Sequence, residues 1–141
     1  MAAGRGSIAL VDALAQASFT VMAVLNRIGT EHDISLTQLR VLGVLRDRRV
    51  RVTDLARHLG LEKSTVSGLV DRAEQRGLLA RVRGDGDARI VEVVMTDEGH
   101  ELADEIVEEI RSALVPLTDR LGAADRRLLT RLLDRMLDDG P

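Results

Sequence analysis

The sequence predicts a mainly α-helical fold with one small β-hairpin, placed directly after a helix-turn-helix. Three observations predict it. Hydrophobic residues make up 45% of the 141, Phe19 is the only aromatic, and there is no Cys. Such a core must be built from Leu, Val, Ile, Met and Ala, the composition of packed helices. Residues 52–69 space Leu55, Ala56, Leu59, Gly60, Leu61, Val66 and Leu69 as two short helices crossing at a turn. LLARV and IVEVV then alternate on either side of RGDGDAR at 83–89, the pattern of paired strands around a turn.

The elements follow in chain order. IALVDALAQASFTVMAVLNRI, within a helix expected from about Ser7 to Gly29, is apolar around nearly its whole circumference. A helix facing solvent on one side shows a stripe instead, so this one is expected to lie in an interface as well as on its own core. Gly29 is its candidate stop. The next helix runs from Ser35 or Thr37 to Asp47, with Ser35 as candidate N-cap. VRV at 50–52 is β-branched and short, and reads as one small strand. Thr53 is the candidate cap of TDLARHLG. Gly60 falls where the turn needs a positive φ. The second helix, Lys63 to Gln75, should end at Gly77. Leu55, Leu59, Leu61, Val66 and Leu69 face inward, leaving Lys63, Ser64, Thr65, Ser67, Gly68, Asp71 and Arg72 facing out. After the hairpin, Thr96 caps a long helix whose seam is Leu102, Ile106, Ile110, Ala113 or Leu114, Leu117 and Leu121. Pro116 should bend it late and Gly122 should break it. AADRRLLTRLLDRML forms the last helix.

Charge adds a functional hint. The net charge is −3, yet residues 40–90 hold 12 Lys or Arg against 7 Asp or Glu, a balance of +5, and the remainder balances at −8. A basic centre between acidic flanks suits a polyanion partner. The helix at 63–75 is roughly 20 Å long at ~1.5 Å per residue, which fits a major groove. Its hydroxyls and Lys63 can bond phosphates or base edges, and a helix N-terminus attracts phosphate.

The residues VTDLARHLGLEKSTVSGLVDRAEQRGLLARVRGDGDARIVEVVMTDEG, 52 to 99, resemble the MarR (multiple-antibiotic-resistance regulator) family of winged-helix transcription factors. KSTVSGLVDRAEQRGLL, the pair Asp87 and Arg89 in the hairpin, and TDEG at 96–99 are its most specific parts. The resemblance spans almost the whole chain. It implies a winged helix-turn-helix flanked by N- and C-terminal dimerisation helices, as one domain over 1–141: a DNA-binding lobe at 33–96 and dimerisation helices at 7–30 and 97–138. It implies a homodimer on double-stranded DNA, a repressor of a pseudo-palindromic operator, released in many members by a small anion. The recognition helix would offer Lys63, Ser64, Thr65, Ser67, Gly68 and Arg72, and the wing Arg83, Asp87 and Arg89. Thr53 and Arg57 would meet the DNA backbone. Ile8, Val11, Leu14, Leu117, Leu132, Leu133, Met136 and Leu137 would form the dimer interface. Arg89 would enter the minor groove, with Asp87 holding it by a carboxylate–guanidinium bond. Gly68 departs from the family, where a larger polar residue is common.

Other chemistry finds little footing. Ser64, Ser67 and His58 make no triad with an oxyanion loop, so no enzyme is expected. Glu31, His32 and Asp33, with His100, offer metal-ligand chemistry, but the three adjacent residues cannot all point at one ion from a regular helix, and no metal or cofactor is expected. Asp97, Glu98, Glu101, Asp104, Glu105, Glu108 and Glu109 form an acidic run read as a solvated face. No apolar run approaches ~20 residues, so a soluble, cytoplasmic protein without a membrane partner is expected. The alternative function is a winged-helix module that binds proteins and does not regulate genes.

Overall fold

A computed structural model describes residues 2–84 and 86–138. Among these lie α1 (Ala2–Glu31), α2 (Leu36–Leu45), α3 (Val52–Leu59), α4 (Lys63–Gln75), β1 (Leu79–Gly84), β2 (Asp87–Met95), α5 (Asp97–Thr118) and α6 (Ala123–Leu137). The strands pair antiparallel, and Val50 adds a single bridge to Val93. This is the mainly α, winged helix-turn-helix architecture that the sequence predicts.

The core is one aliphatic cluster beneath the helix-turn-helix. Val41, Leu45, Leu55, Val66, Val70 and Val93 are its largest fully buried side chains. They come from α2, α3, α4 and β2, so burial of these apolar groups locks four elements at once. Ala103 and Ile106 bring α5 onto the same cluster, and Ile28 brings α1.

Several boundaries depart from expectation. α1 begins earlier than Ser7 and runs through Gly29 to Glu31. Gly29 is not a stop; its missing Cβ admits the Ile34 carbonyl, which a built Cβ would meet at 2.6 Å. Val52 belongs to α3 and not to a strand, so only Val50 of VRV pairs. Arg51 occupies the N-cap of α3 without a side-chain bond, which places Thr53 inside the helix. Leu61 is 37% exposed and not inward. α5 ends at Thr118, ahead of Gly122, with Pro116 in its last turn. Other expectations hold in detail. The Ser35 hydroxyl accepts from Gln38 N–H, Gly60 and Gly77 adopt φ of 66° and 77°, and Thr96 accepts from Gly99 N–H.

The terminal helices are barely buried. α6 buries no residue. Gly4–Glu31 reaches a mean hydropathy of 1.9 over an eighteen-residue window of which 0% is buried. By length and composition alone α1 is long and apolar enough to cross a membrane. Asp12, Gln16 and Ser18 interrupt its apolar runs without lowering the average far. The residues expected at a dimer interface share this exposure: Ile8, Val11, Leu14, Leu117, Leu132, Met136 and Leu137 are exposed, and Leu133 is half-buried.

Candidate nucleic-acid interface

Lys63, Ser64 and Thr65 form the exposed first turn of α4. The N-cap, Glu62, makes no side-chain cap bond, and no acidic residue lies in the first turn. The positive end of the helix is therefore offered outward with Lys63 beside it. Val66, Leu69, Val70 and Ala73 bury the opposite face and fix the helix on the core. Arg72 is exposed one turn beyond Gly68, which is half-buried. A Cβ built on Gly68 would lie 3.6 Å from Arg72 Nη1, an ordinary contact.

Ser67 differs from the expected outward residue. It is half-buried, and its hydroxyl accepts from Arg81 Nη2 at 3.2 Å. Arg81, which sequence reasoning passed over, is the hub of this region. Its Nη1 donates to Asp71 at 2.8 Å and also to Glu74. Ser67, Asp71 and Glu74 repeat at helical spacing, so one guanidinium on β1 grips one whole face of α4. Arg81 thereby ties β1 to α4.

The hairpin answers to its register. Gly84 pairs with Asp87, leaving two residues between them, and Gly86 takes φ of 85°. Asp85 lies outside the described residues. Arg83 then pairs with Val91, so residues 88–90 are extra on β2. The turn is therefore not lengthened; the added residues form a bulge, which reaims side chains. Arg89 sits in that bulge. Its backbone N–H and Nε donate to Asp87 Oδ1 at 3.0 and 3.2 Å, and its Nη2 donates to Oδ2 at 3.4 Å. The Asp87 carboxyl is held below its ordinary value by the Arg89 backbone N–H first and the guanidinium second. Arg89 is nonetheless 92% exposed along its side chain. Arg83 is exposed too, but donates to the Ala88 carbonyl at 2.7 Å and so braces the bulge. Thr53 and Arg57 are exposed on α3, with Arg57 3.5 Å from Asp54.

A cavity of about 510 Å³ lies behind this surface, between α1, α2, α3 and α5. Met22, Leu25, Leu36, Leu42, Ile106 and Ile110 line it, with Arg40 and Arg46 also on its wall and no aromatic ring. One nitrogen of Arg40 reaches the His58 carbonyl, and one of Arg46 reaches Asp104.

Known proteins agree with this geometry. The family model described as MarR family matches residues 32–90. The HTH-type transcriptional regulator PecS of Dickeya dadantii is 27% identical over 138 residues, covering 92% of this chain and 83% of the relative. The HTH-type transcriptional regulator FarR of Neisseria gonorrhoeae is 29% identical over 121 residues, covering 85% and 83%. The crystal structure of NadR in complex with 4-hydroxyphenylacetate superposes with a TM-score of 0.76 at 27% identity, covering 91% of this chain and 92% of that one. The regulator relatives lend no support to a module that only binds proteins. With the helix-turn-helix and the wing, the match to the MarR family model and these relatives together support a MarR-family, DNA-binding transcriptional regulator.

Proposed function

We propose that the chain represses transcription in the cytoplasm as a homodimer, each protomer reading one half of a pseudo-palindromic operator. The observation that carries this reading is Arg89, whose guanidinium is held along its Nε–Nη2 edge by Asp87 while its side chain stays 92% exposed. A narrow minor groove has an enhanced negative potential that favours such a guanidinium. The first turn of α4, with Lys63, Ser64 and Thr65, and Arg72 one face along, would enter the adjacent major groove. Arg83 supports the wing, and Thr53 and Arg57 meet the phosphate backbone. The exposed apolar faces of α1, α5 and α6 would close on those of the partner, making 7–30 and 97–138 the dimerisation helices and 33–96 the DNA-binding lobe.

The effector would enter the apolar cavity. Its aliphatic lining takes an alkyl chain or a flat ring, and Arg40 or Arg46 takes an anionic group. The bound 4-hydroxyphenylacetate of NadR, an anion on an apolar body, is of this chemical type.

A gel-shift titration on the promoter upstream of the chain's own gene tests the reading. Binding at low salt should weaken steeply as salt rises, because Arg–phosphate contacts release counterions. The two half-sites should be protected about one helical turn apart, ~34 Å. Salt-insensitive binding, or none, would refute it.

A further inference from the structure

We propose that His32, Glu105 and Glu109 bind a divalent transition-metal ion of the zinc type. His32 is the first residue after α1, and Asp33 beside it takes a positive φ of 57°, which turns the chain sharply at this point. Glu105 and Glu109 are four residues apart on α5 and so share one face. Burial of Ala103 and Ile106 fixes that stretch of α5 on the core. The turn and α5 meet there: His32 Nε2 lies 3.0 and 2.9 Å from the two Glu109 carboxylate oxygens. One ligand atom from each of the three residues lies within 4.8 Å of the others.

The donor set is one imidazole nitrogen and two carboxylates. That is an N/O set suited to first-row dications, with room for a water as fourth ligand. Bonds of ~2.1 Å in a tetrahedron place ligand atoms roughly 3.4 Å apart. His32 Nε2 and the Glu109 oxygens lie 2.9 and 3.0 Å apart, a little inside that separation, and an oxygen of exposed Glu105 is within 4.8 Å of both partners. Charge favours the ion as well. Glu31 and Glu108 line the same shallow cleft as Glu105 and Glu109, with Arg27 the cation among its lining residues. A dication relieves the repulsion among these carboxylates.

The site has a route to the recognition helix. Arg76, the C-cap of α4, donates to the carbonyls of Asp33 and His32 at 2.8 and 3.1 Å. The turn that carries the nitrogen ligand is thus tied to the end of α4. An ion that fastens this turn to α5 would bias where α4 sits; this last step alone rests on the regulator reading.

Titration of the full chain with zinc against a chromophoric chelator, without DNA, tests the site. One zinc per chain is expected, with affinity falling about 100-fold in His32→Ala and Glu109→Gln, ligand losses that exceed the loss of a supporting group. Glu105→Gln should fall similarly, and it removes no hydrogen bond among those described, so its fold is expected to be intact by circular dichroism. Glu101→Gln, the same charge change outside the cluster, should bind as the parent does. Cobalt in place of zinc should give visible d–d absorption that His32→Ala loses. Equal zinc affinity in the parent, His32→Ala and Glu105→Gln would overturn the proposal, leaving His32–Glu109 as an ion pair only. Because the titration contains no DNA, that result would leave the operator reading untouched.

Discussion

Asp87 grips both the backbone and the guanidinium of Arg89, two residues further along the same strand. The carboxylate takes the Nε and Nη2 edge of the guanidinium, yet the arginine side chain stays 92% exposed. Arg89→Ala should therefore lower operator affinity roughly ten- to a hundredfold while leaving the urea midpoint unchanged. Asp87→Ala should lower it less, by loosening the aim and not by removing the charge. Fluorescence anisotropy on a labelled operator measures both, and a larger loss for Asp87→Ala would reverse the assigned roles.

The same clasp fixes a pH dependence. The folded Asp87 carboxyl titrates below its ordinary 3.8. A depressed folded value means that its contribution is complete above 3.8 and is lost only as pH falls through the lower value. The ratio of wild-type to Asp87→Ala affinity should therefore stay flat between about pH 5 and 8. A ratio that collapses within that window would show that the clasp depends on another group.

Arg81 is expected to matter twice. Its side chain is 27% exposed and grips Ser67, Asp71 and Glu74 together. Arg81→Ala should cost about 1–2 kcal/mol of stability, discounted for partial exposure, and should also weaken operator binding. Arg81→Lys should recover part of the stability, but little of the discrimination between operator and random DNA, since a point charge cannot span three acceptors. Chemical denaturation and competition binding separate the two effects.

Two glycines should respond oppositely to alanine. At Gly99 a Cβ would meet Met95 Cγ at 2.7 Å and the Leu78 carbonyl closer still. That contact is with backbone, so Gly99→Ala should destabilise by about 2–3 kcal/mol. At Gly68 a Cβ would make only an ordinary contact, 3.6 Å from Arg72 Nη1, so Gly68→Ala should stabilise α4 by up to about 1 kcal/mol. Urea titration of the two variants side by side checks the contrast in sign.

Dimerisation is checked by charge. Val11→Asp or Leu132→Asp, each on an exposed apolar face, should shift sedimentation towards monomer at micromolar concentration. The far-ultraviolet helical signal should fall with it. A dimer indifferent to both would place the interface elsewhere.

The helix-turn-helix was legible because its signals are local. Gly60 and Gly77 stand where the chain must take positive φ, and the aliphatic spacing fixes which face of α4 is buried. Thr53 misled because a good capping residue is only one condition; the backbone enters α3 earlier, at Arg51. Val52 is β-branched, yet its place at the start of α3 overrides that preference. Gly29 looked like a helix stop, whereas its role is to admit a carbonyl from the next turn. RGDGDAR reads as a long turn until the pairing register is known, since a bulge and a turn use the same residues. Arg76 and Arg81 were illegible in a different way. Their partners stand on other elements, and no spacing in the sequence joins Arg76 to Asp33. For the same reason His32 was weighed with its neighbours and not with Glu109, 77 residues away.

The uncovered α1 and α6 have a consequence for dosage. A helix with the hydropathy of a membrane span and a helix that buries nothing cannot be satisfied by one copy of the chain in water. If a second copy supplies the cover, folding and pairing are one bimolecular event, and stability itself rises with concentration. Operator occupancy would then vary with roughly the square of the amount of chain at low abundance. Halving synthesis would empty the promoter far more than halfway, so the regulator would act as a threshold device before any effector is present.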